Sequence, residues 1–328
     1  MKLLKKLCNL PAVSGFEYMA KDNLFEIIAE LGLTPKTDSY GNIYAQKLSK
    51  NAKLNILIDA HIDEIGLIVS EILENGFVVF ETVGGVDKKN LLCQEVEILG
   101  KEKVFGVIGA IPPHLATDDT KEKPLAIDTG IKKIKDKIKI GDPIKLKANF
   151  IKLKNSQTAG NAMDNRAGAL CALMALEKFN QNINLTVLLS AREETGLQGV
   201  RLFLQDKKFD LGVVLDVTHG YFDGLLDYRA FPVGDGFTLC YGGVLQNNIV
   251  DKMKEFLDKN NYKYNVEVEP SNPGTNAFSI VSYGIPTVML SLPLKYMHTT
   301  VETVSEDDIK SLSKFMCEFD WKESLEKC

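Results

Sequence analysis

The sequence predicts an α/β fold interrupted by a small all-β module, on three observations. Apolar runs of strand length alternate with helical stretches in two separated parts of the chain. Between those parts, short β-rich runs are divided by turn residues. The 328 residues exceed one average domain and suffice for two.

Ser14 followed by Glu17 forms a capping box predicted to open a helix from Phe16 to about Leu31, with Phe16, Leu24, Ile27, Ile28 and Leu31 at helical spacing. Asn55 to Ala60 is a short apolar run that reads as a buried strand delivering His61 at its C-terminal end. From about Gly66 to Lys154 the pattern changes to FVVFETV, CQEVEIL, VFGVIGAI and DPIKLKANFIKL, punctuated by Asn75-Gly76 and Asp142-Pro143. The lysine-dotted segment Lys121 to Lys139 reads as a solvated face or loop of this module. After Asp164, RAGALCALMALEKF is a helix with a core-facing Ala and Leu stripe, and NLTVLLSA, LGVVLDV and PTVMLSL are strands. Helices are expected at Ile249 to Leu257 and Asp307 to Phe319, the second capped by Ser305 with Asp308. The expected division is therefore an α/β domain of residues 1–66 and 158–328, with 67–157 inserted as the β-rich module.

Hydrophobic residues make up 45% and charged residues 25%, an ordinary folded composition that leaves little room for a long disordered tail. Lys and Arg number 39 against 44 Asp and Glu, a net charge of −5 spread along the chain. That balance argues against a phosphate-tracking surface and so against a nucleic-acid partner. Cys8, Cys93, Cys171, Cys240, Cys317 and Cys328 lie far apart without a C-x-x-C pair, so reduced thiols are expected. The N-terminal MKLLKKLCNLPAVSGFE lacks the apolar run of a signal peptide, and no stretch approaches a membrane span. A cytoplasmic protein without a membrane partner is the expectation.

In an open α/β sheet, ligands gather beyond the carboxyl ends of the strands. Four predicted strands end in residues suited to metal binding or proton transfer: His61 and Asp63, Glu193 and Glu194, Asp216, and His298. Asp164, just before a long helix, joins them as the best placed bridge between two cations. Two imidazoles with several carboxylates and no thiolate suit a pair of divalent ions, zinc, cobalt or manganese. The adjacent Glu193 and Glu194 can diverge, one binding metal and the other accepting a proton. Asp63 stands where it can orient the His61 imidazole. His114 and His219 lack comparable partners and read as structural or interfacial. Arg166 divides evenly between a substrate contact and a local ion pair, and Glu64 and Glu302 read as structural.

AHIDEIG, AMDNRAG, REETGLQG, LDVT, GTNA and YMHTTVE occur in this order, with NLPAVSGFE at the start and IPPHL in the insert. Together they resemble the motifs of the tetrahedral aminopeptidases, the dinuclear metallopeptidases that include glutamyl aminopeptidases. The resemblance implies a mixed-sheet α/β metallopeptidase domain flanked by helices, with a barrel-like dimerisation domain inserted. It implies that His61, Asp164 and Asp216 hold one metal, that Asp164, Glu194 and His298 hold the other, and that Glu193 is the general base with Asp63 behind His61. Zinc or cobalt, or manganese, is implied as the divalent pair. The implied activity is hydrolysis of N-terminal residues from peptides, by water activated between the metals, in a cytoplasmic homo-oligomer assembled from dimers to a dodecamer. The alternatives are a related two-metal deacylase or carboxypeptidase, a non-catalytic oligomeric scaffold, and, from the paired carboxylates alone, a glycosidase. Where the family reads GTDA and RYMH, this chain has Asn276 and Lys295, which are expected near the substrate pocket and to tilt it toward acidic or polar side chains.

Overall fold

The computed structural model describes residues 2–115, 125–147, 149–225, 230–272 and 274–326. Along the chain, β1 (Lys36–Thr37), β2 (Ile43–Lys47) and β3 (Asn55–His61) precede β4 (Gly66–Ile72), β5 (Val78–Val83), β6 (Glu95–Leu99), β7 (Lys103–Ile108), β8 (Ala126–Asp128) and β9 (Pro143–Leu146). There follow β10 (Ile151–Lys152), β11 (Gln157–Gly160), β12 (Asn184–Ser190), β13 (Leu211–His219), β14 (Phe237–Gly242), β15 (Tyr264–Glu269), β16 (Thr287–Leu294) and β17 (Glu302–Ser305). One eight-stranded sheet runs β1-β2-β12-β3-β13-β16-β14-β15, with β12, β3, β13 and β16 parallel at its centre. The mixed α/β sheet and the inserted barrel are thus both present.

Alternation along the central strands divides the core into two layers. Ile56, Ile58 and Ala60 of β3 face one layer, together with Val213 and Leu215 of β13 and Val288 and Leu290 of β16. The helix Met163–Lys178 packs on this side through Ala169, Leu170 and Leu173. Leu57, Val214 and Met289 face the other layer, under the helices Gln198–Leu204 and Asn276–Val281. Asp59 and His61, Asp216, and Ser291 continue those second-face rows, so one side of the sheet becomes polar as it approaches the strand ends. The helix Glu306–Glu318 has the expected cap, with Ser305 Oγ accepting from the amides of Asp307 and Asp308 at 3.2 Å each.

Strands β4-β5-β8-β7-β6-β9 close into a barrel around Leu67, Val69, Val78, Phe80, Val96, Ile98, Ile127 and Ile144. The Asn75-Gly76 turn joins β4 to β5 with Gly76 at φ +90°, a conformation that favours glycine. Residues 116–124 lie outside the described residues, so only the remainder of the Lys121 to Lys139 segment can be compared with expectation. There Ala126–Asp128 pairs with β5 and β7, and Ile134 and Ile138 are buried in the barrel core, so the segment carries structure that its lysines masked. Ile151–Lys152 pairs with β11, which pairs with β17, outside the barrel.

The N-terminal expectation needs correction. A helix Lys2–Cys8 comes first, and the helix after Ser14 begins only at Lys21, preceded by a 3-10 turn at Glu17–Ala20 with no side-chain cap. Ser14 Oγ instead meets Thr195 Oγ1 at 2.8 Å, and Glu17 Oε1 accepts from the amides of Gly15 and Arg192, each at 2.9 Å. Long-range bonds to the loop after β12 take the groups that a local box would use. The five cysteines among the described residues are free, and no described helix is long and apolar enough to cross a membrane.

Candidate metal centre

The residues expected at the strand ends do converge. His61 ends β3, Glu193 and Glu194 follow β12, Asp216 lies on β13, and His298 follows β16. Asp164 enters from the first turn of the helix Met163–Lys178, where it departs from helical dihedrals and forms a cis peptide with Asn165. One Asp164 oxygen, Oδ1, lies 3.0 Å from His61 Nε2, and the other, Oδ2, lies 3.4 Å from His298 Nε2. Asp216 Oδ1 is 3.8 Å and Glu193 Oε2 4.0 Å from His61 Nε2, whereas Glu194 Oε2 is 3.7 Å from His298 Nε2. The adjacent glutamates therefore diverge toward different imidazoles. Two overlapping groups have ligand atoms within 4.8 Å of one another: His61, Asp164 and Glu194, and His61, Glu193 and Asp216.

Buried carboxylates hold the backbone of this cluster. Asp63, fully buried, accepts from the amides of Glu193 and Glu194 at 3.1 Å each, and its Oδ1 lies 3.5 Å from His61 Nδ1. Glu302, brought beside Asp164 by the pairing of β11 with β17, accepts from the Asp164 amide at 3.1 Å and the His298 amide at 2.7 Å. His298 Nδ1 also lies 2.9 Å from the carbonyl of Gly85, just beyond β5 of the barrel. Sequence reasoning passed over Gly85 and treated Glu302 as structural; nothing local to either residue announces its distant partner. Arg166 is fully buried and meets Glu64 at 3.5 Å, which settles it as an ion-pair residue away from the cavity.

A cavity of about 500 Å³ opens over the cluster. His219 lines it without joining either ligand group, and His114 sits exposed in a 3-10 turn, outside both groups and the cavity. Asn276 and Lys295 do not line it. Asn276 is buried and donates to Asp59 Oδ2 at 2.8 Å and Ser190 Oγ at 2.9 Å, while Lys295 Nζ reaches Gln157 Oε1 at 3.4 Å. Their expected influence on the pocket is therefore corrected: one residue lies within the layers and the other points elsewhere.

The electrostatics of the cluster call for cations. Burial raises Glu193, Glu194 and Asp216 above the usual carboxylate range, and neighbouring carboxylates add to the rise. Asp164 is the exception: burial opposes its charge, but bonds to His298 and His61 hold it low. Burial works against the charge of His61, yet Glu193, Asp164 and Asp63 keep its pKa well above the imidazole value. A tetrahedral zinc with bonds of about 2.0–2.1 Å sets its ligand atoms roughly 3.3 Å apart, close to the separations between Asp164 and the two histidines. Imidazole and carboxylate donors without thiolate fit zinc, cobalt or manganese, and two clustered donor sets fit a dinuclear centre.

Comparison with known proteins agrees with this geometry. A lysyl aminopeptidase of Pyrococcus furiosus is 27% identical over 95% of this chain and 94% of its own length. A glutamyl aminopeptidase of Lactococcus lactis is 28% identical over 95% of this chain and 93% of its own. Among solved structures, the TET1 peptidase of Pyrococcus horikoshii, which can assemble into a tetrahedron or a large octahedral shell, superposes with a TM-score of 0.84 at 25% identity, covering 96% of this chain and 97% of that one. The profile of the M42 glutamyl aminopeptidases matches residues 41–315, and with that the chain belongs to the M42 peptidase family.

Proposed function

We propose that this chain is a metal-dependent aminopeptidase, and that His61, Asp164 and Asp216 hold one cation while Asp164, Glu194 and His298 hold the other. The observation that carries the reading is Asp164, whose two oxygens face the two imidazoles at 3.0 and 3.4 Å. Zinc or cobalt is the favoured pair, with manganese admitted by the same donors. When bound, the pair supplies Lewis acidity and a water of lowered pKa. Glu193 takes the proton of the attacking water and returns it to the leaving amine, a role suited to its raised affinity for protons. Asp63 orients His61 and fixes both glutamates through their amides.

Peptides are the proposed substrates, and a homo-oligomer built from dimers to a dodecamer the proposed assembly, with residues 67–157 as the dimerisation domain and 1–66 with 158–328 as the catalytic domain. The likeness to TET1 supports the assembly, and the free cysteines support a cytoplasmic setting. Glu193→Gln tests the reading: turnover of aminoacyl substrates is expected to fall by about 10²–10⁴-fold, with metal content unchanged by elemental analysis. Wild-type turnover in that variant removes Glu193 from its role. Equal or faster cleavage of N-acetylated peptides rejects an aminopeptidase in favour of a deacylase.

A further inference from the structure

The cavity over the metal centre extends to the outermost strand of the sheet, β15, where Glu267 and Glu269 line it. Alternation along β15 sends these two carboxylates to the cavity side and leaves Val266 and Val268 at the surface, 43% and 64% exposed. Glu267 is held in place from two other strands. Thr238 Oγ1 on β14 donates to its Oε2 at 3.0 Å, and Thr218 Oγ1 donates to its Oε1. Thr218 lies two residues beyond Asp216 on β13, so the same strand carries a proposed ligand and a hydroxyl that aims Glu267 into the cavity. Among the described residues, no lysine or arginine lines this cavity, and none forms an ion pair with Glu267 or Glu269. Val217, Leu197 and Met289 also line it, apolar walls for a methylene stem.

We infer that Glu267 and Glu269 form the far wall of the pocket for the substrate's N-terminal side chain and select a cationic residue, lysine or arginine, there; this rests on the aminopeptidase reading of the same centre. Among the described residues these carboxylates have no lysine or arginine partner, and a substrate ammonium or guanidinium reaching them supplies one. An acidic side chain adds a like charge to the same desolvated space, and a neutral one leaves the carboxylates uncompensated. Burial raises Glu267 above its ordinary range, the two threonine hydroxyls oppose the rise, Glu269 adds to it and nearby His219 works against it, so an arriving cation adds to the stabilisation of the charged form. Kinship does not decide this preference, since relatives of nearly equal identity are named for lysyl and for glutamyl substrates.

The test compares kcat/KM of the zinc- or cobalt-loaded enzyme on lysyl, arginyl, norleucyl and glutamyl p-nitroanilides. Norleucine keeps the lysine stem without the ammonium, so the lysyl-to-norleucyl ratio isolates charge. That ratio is expected to be about tenfold or more, with glutamyl slowest. Glu267→Gln and Glu269→Gln should each lower it, and Glu269→Lys should raise glutamyl relative to lysyl turnover, with metal content checked in every variant. Norleucyl cleaved as well as lysyl by the wild type overturns the inference and leaves the aminopeptidase reading standing. No cleavage of any of the four overturns both, and a wild-type ratio in the Glu267→Gln/Glu269→Gln double variant overturns the assignment of these two residues.

Discussion

Replacing Gly85 with alanine probes the seat proposed for the second cation from outside the sheet. Its carbonyl faces His298 Nδ1 at 2.9 Å. A Cβ at this position would stand 2.7 Å from Nδ1 and 2.8 Å from Cε1 of that ring, where ordinary contact begins at 3.4 Å. The ring must therefore withdraw by the difference, about 0.7 Å, whereas metal–ligand distances hold to within roughly 0.2 Å of their preferred values. Disturbing an orienting partner alone costs about 10–100-fold in metal affinity, and a displaced ligand puts this variant at the upper end. Calorimetric titration of chelator-stripped protein with zinc is expected to give one equivalent at wild-type affinity and a second weakened on the order of 100-fold. Overpacking also costs about 1–3 kcal/mol of stability, so unfolding midpoints are measured with chelator present to separate the effects. Gly109→Ala, where an added Cβ meets nothing within 4 Å, is the control. Two equivalents at wild-type affinity in Gly85→Ala refute the reasoning.

Glu302→Gln keeps one good acceptor where two amides now converge, leaving one buried N–H facing an amide NH₂, at about 1–3 kcal/mol. Metal affinity measured against a competing chelator is expected to fall by about 10–100-fold; a loss of stability with affinity intact returns Glu302 to a purely structural role. The pH dependence of the metal-free protein has a definite sign. His61 and His298 are raised above their unfolded values, as are Glu193, Glu194 and Asp216, so the folded chain binds more protons than the unfolded one. Its stability is therefore present on the acid side and lost as pH rises through the folded values, and the melting temperature in chelator should drop from about pH 6 to about pH 9. Metal binding displaces those protons, so zinc affinity should run the other way and weaken as pH falls; metal content that stays constant down to about pH 4.5 contradicts the assigned ligands.

Most of the central architecture was legible because the parallel strands are buried on both faces and read as unbroken apolar runs, NLTVLLS and LGVVLDV among them. Their ends were legible for the same reason: His61 and Asp216 interrupt apolar rows. Asp164 could be read from its place before an Ala-rich helix. Strands β14 and β15 went unread, although YNVEVE alternates with the period of a strand, and Glu267 and Glu269 were missed with them. The mistaken capping box shows why local pattern fails: Ser14 and Glu17 have the spacing of a box, but Thr195 and Arg192 claim them from 175 or more residues away. Glu302 and Asn276 were opaque likewise, since their partners arrive only through strand pairing and layer packing.

The position of β15 separates two kinds of mutational freedom. His61 and Asp216 sit on interior strands, where a change disturbs a neighbour on each side. Glu267 and Glu269 sit on the margin, on an edge strand that pairs with β14 among the described residues. On the pocket reading above, a change of side chain on this strand alters what the cavity accepts, while the residues proposed to hold the cations stand on other elements.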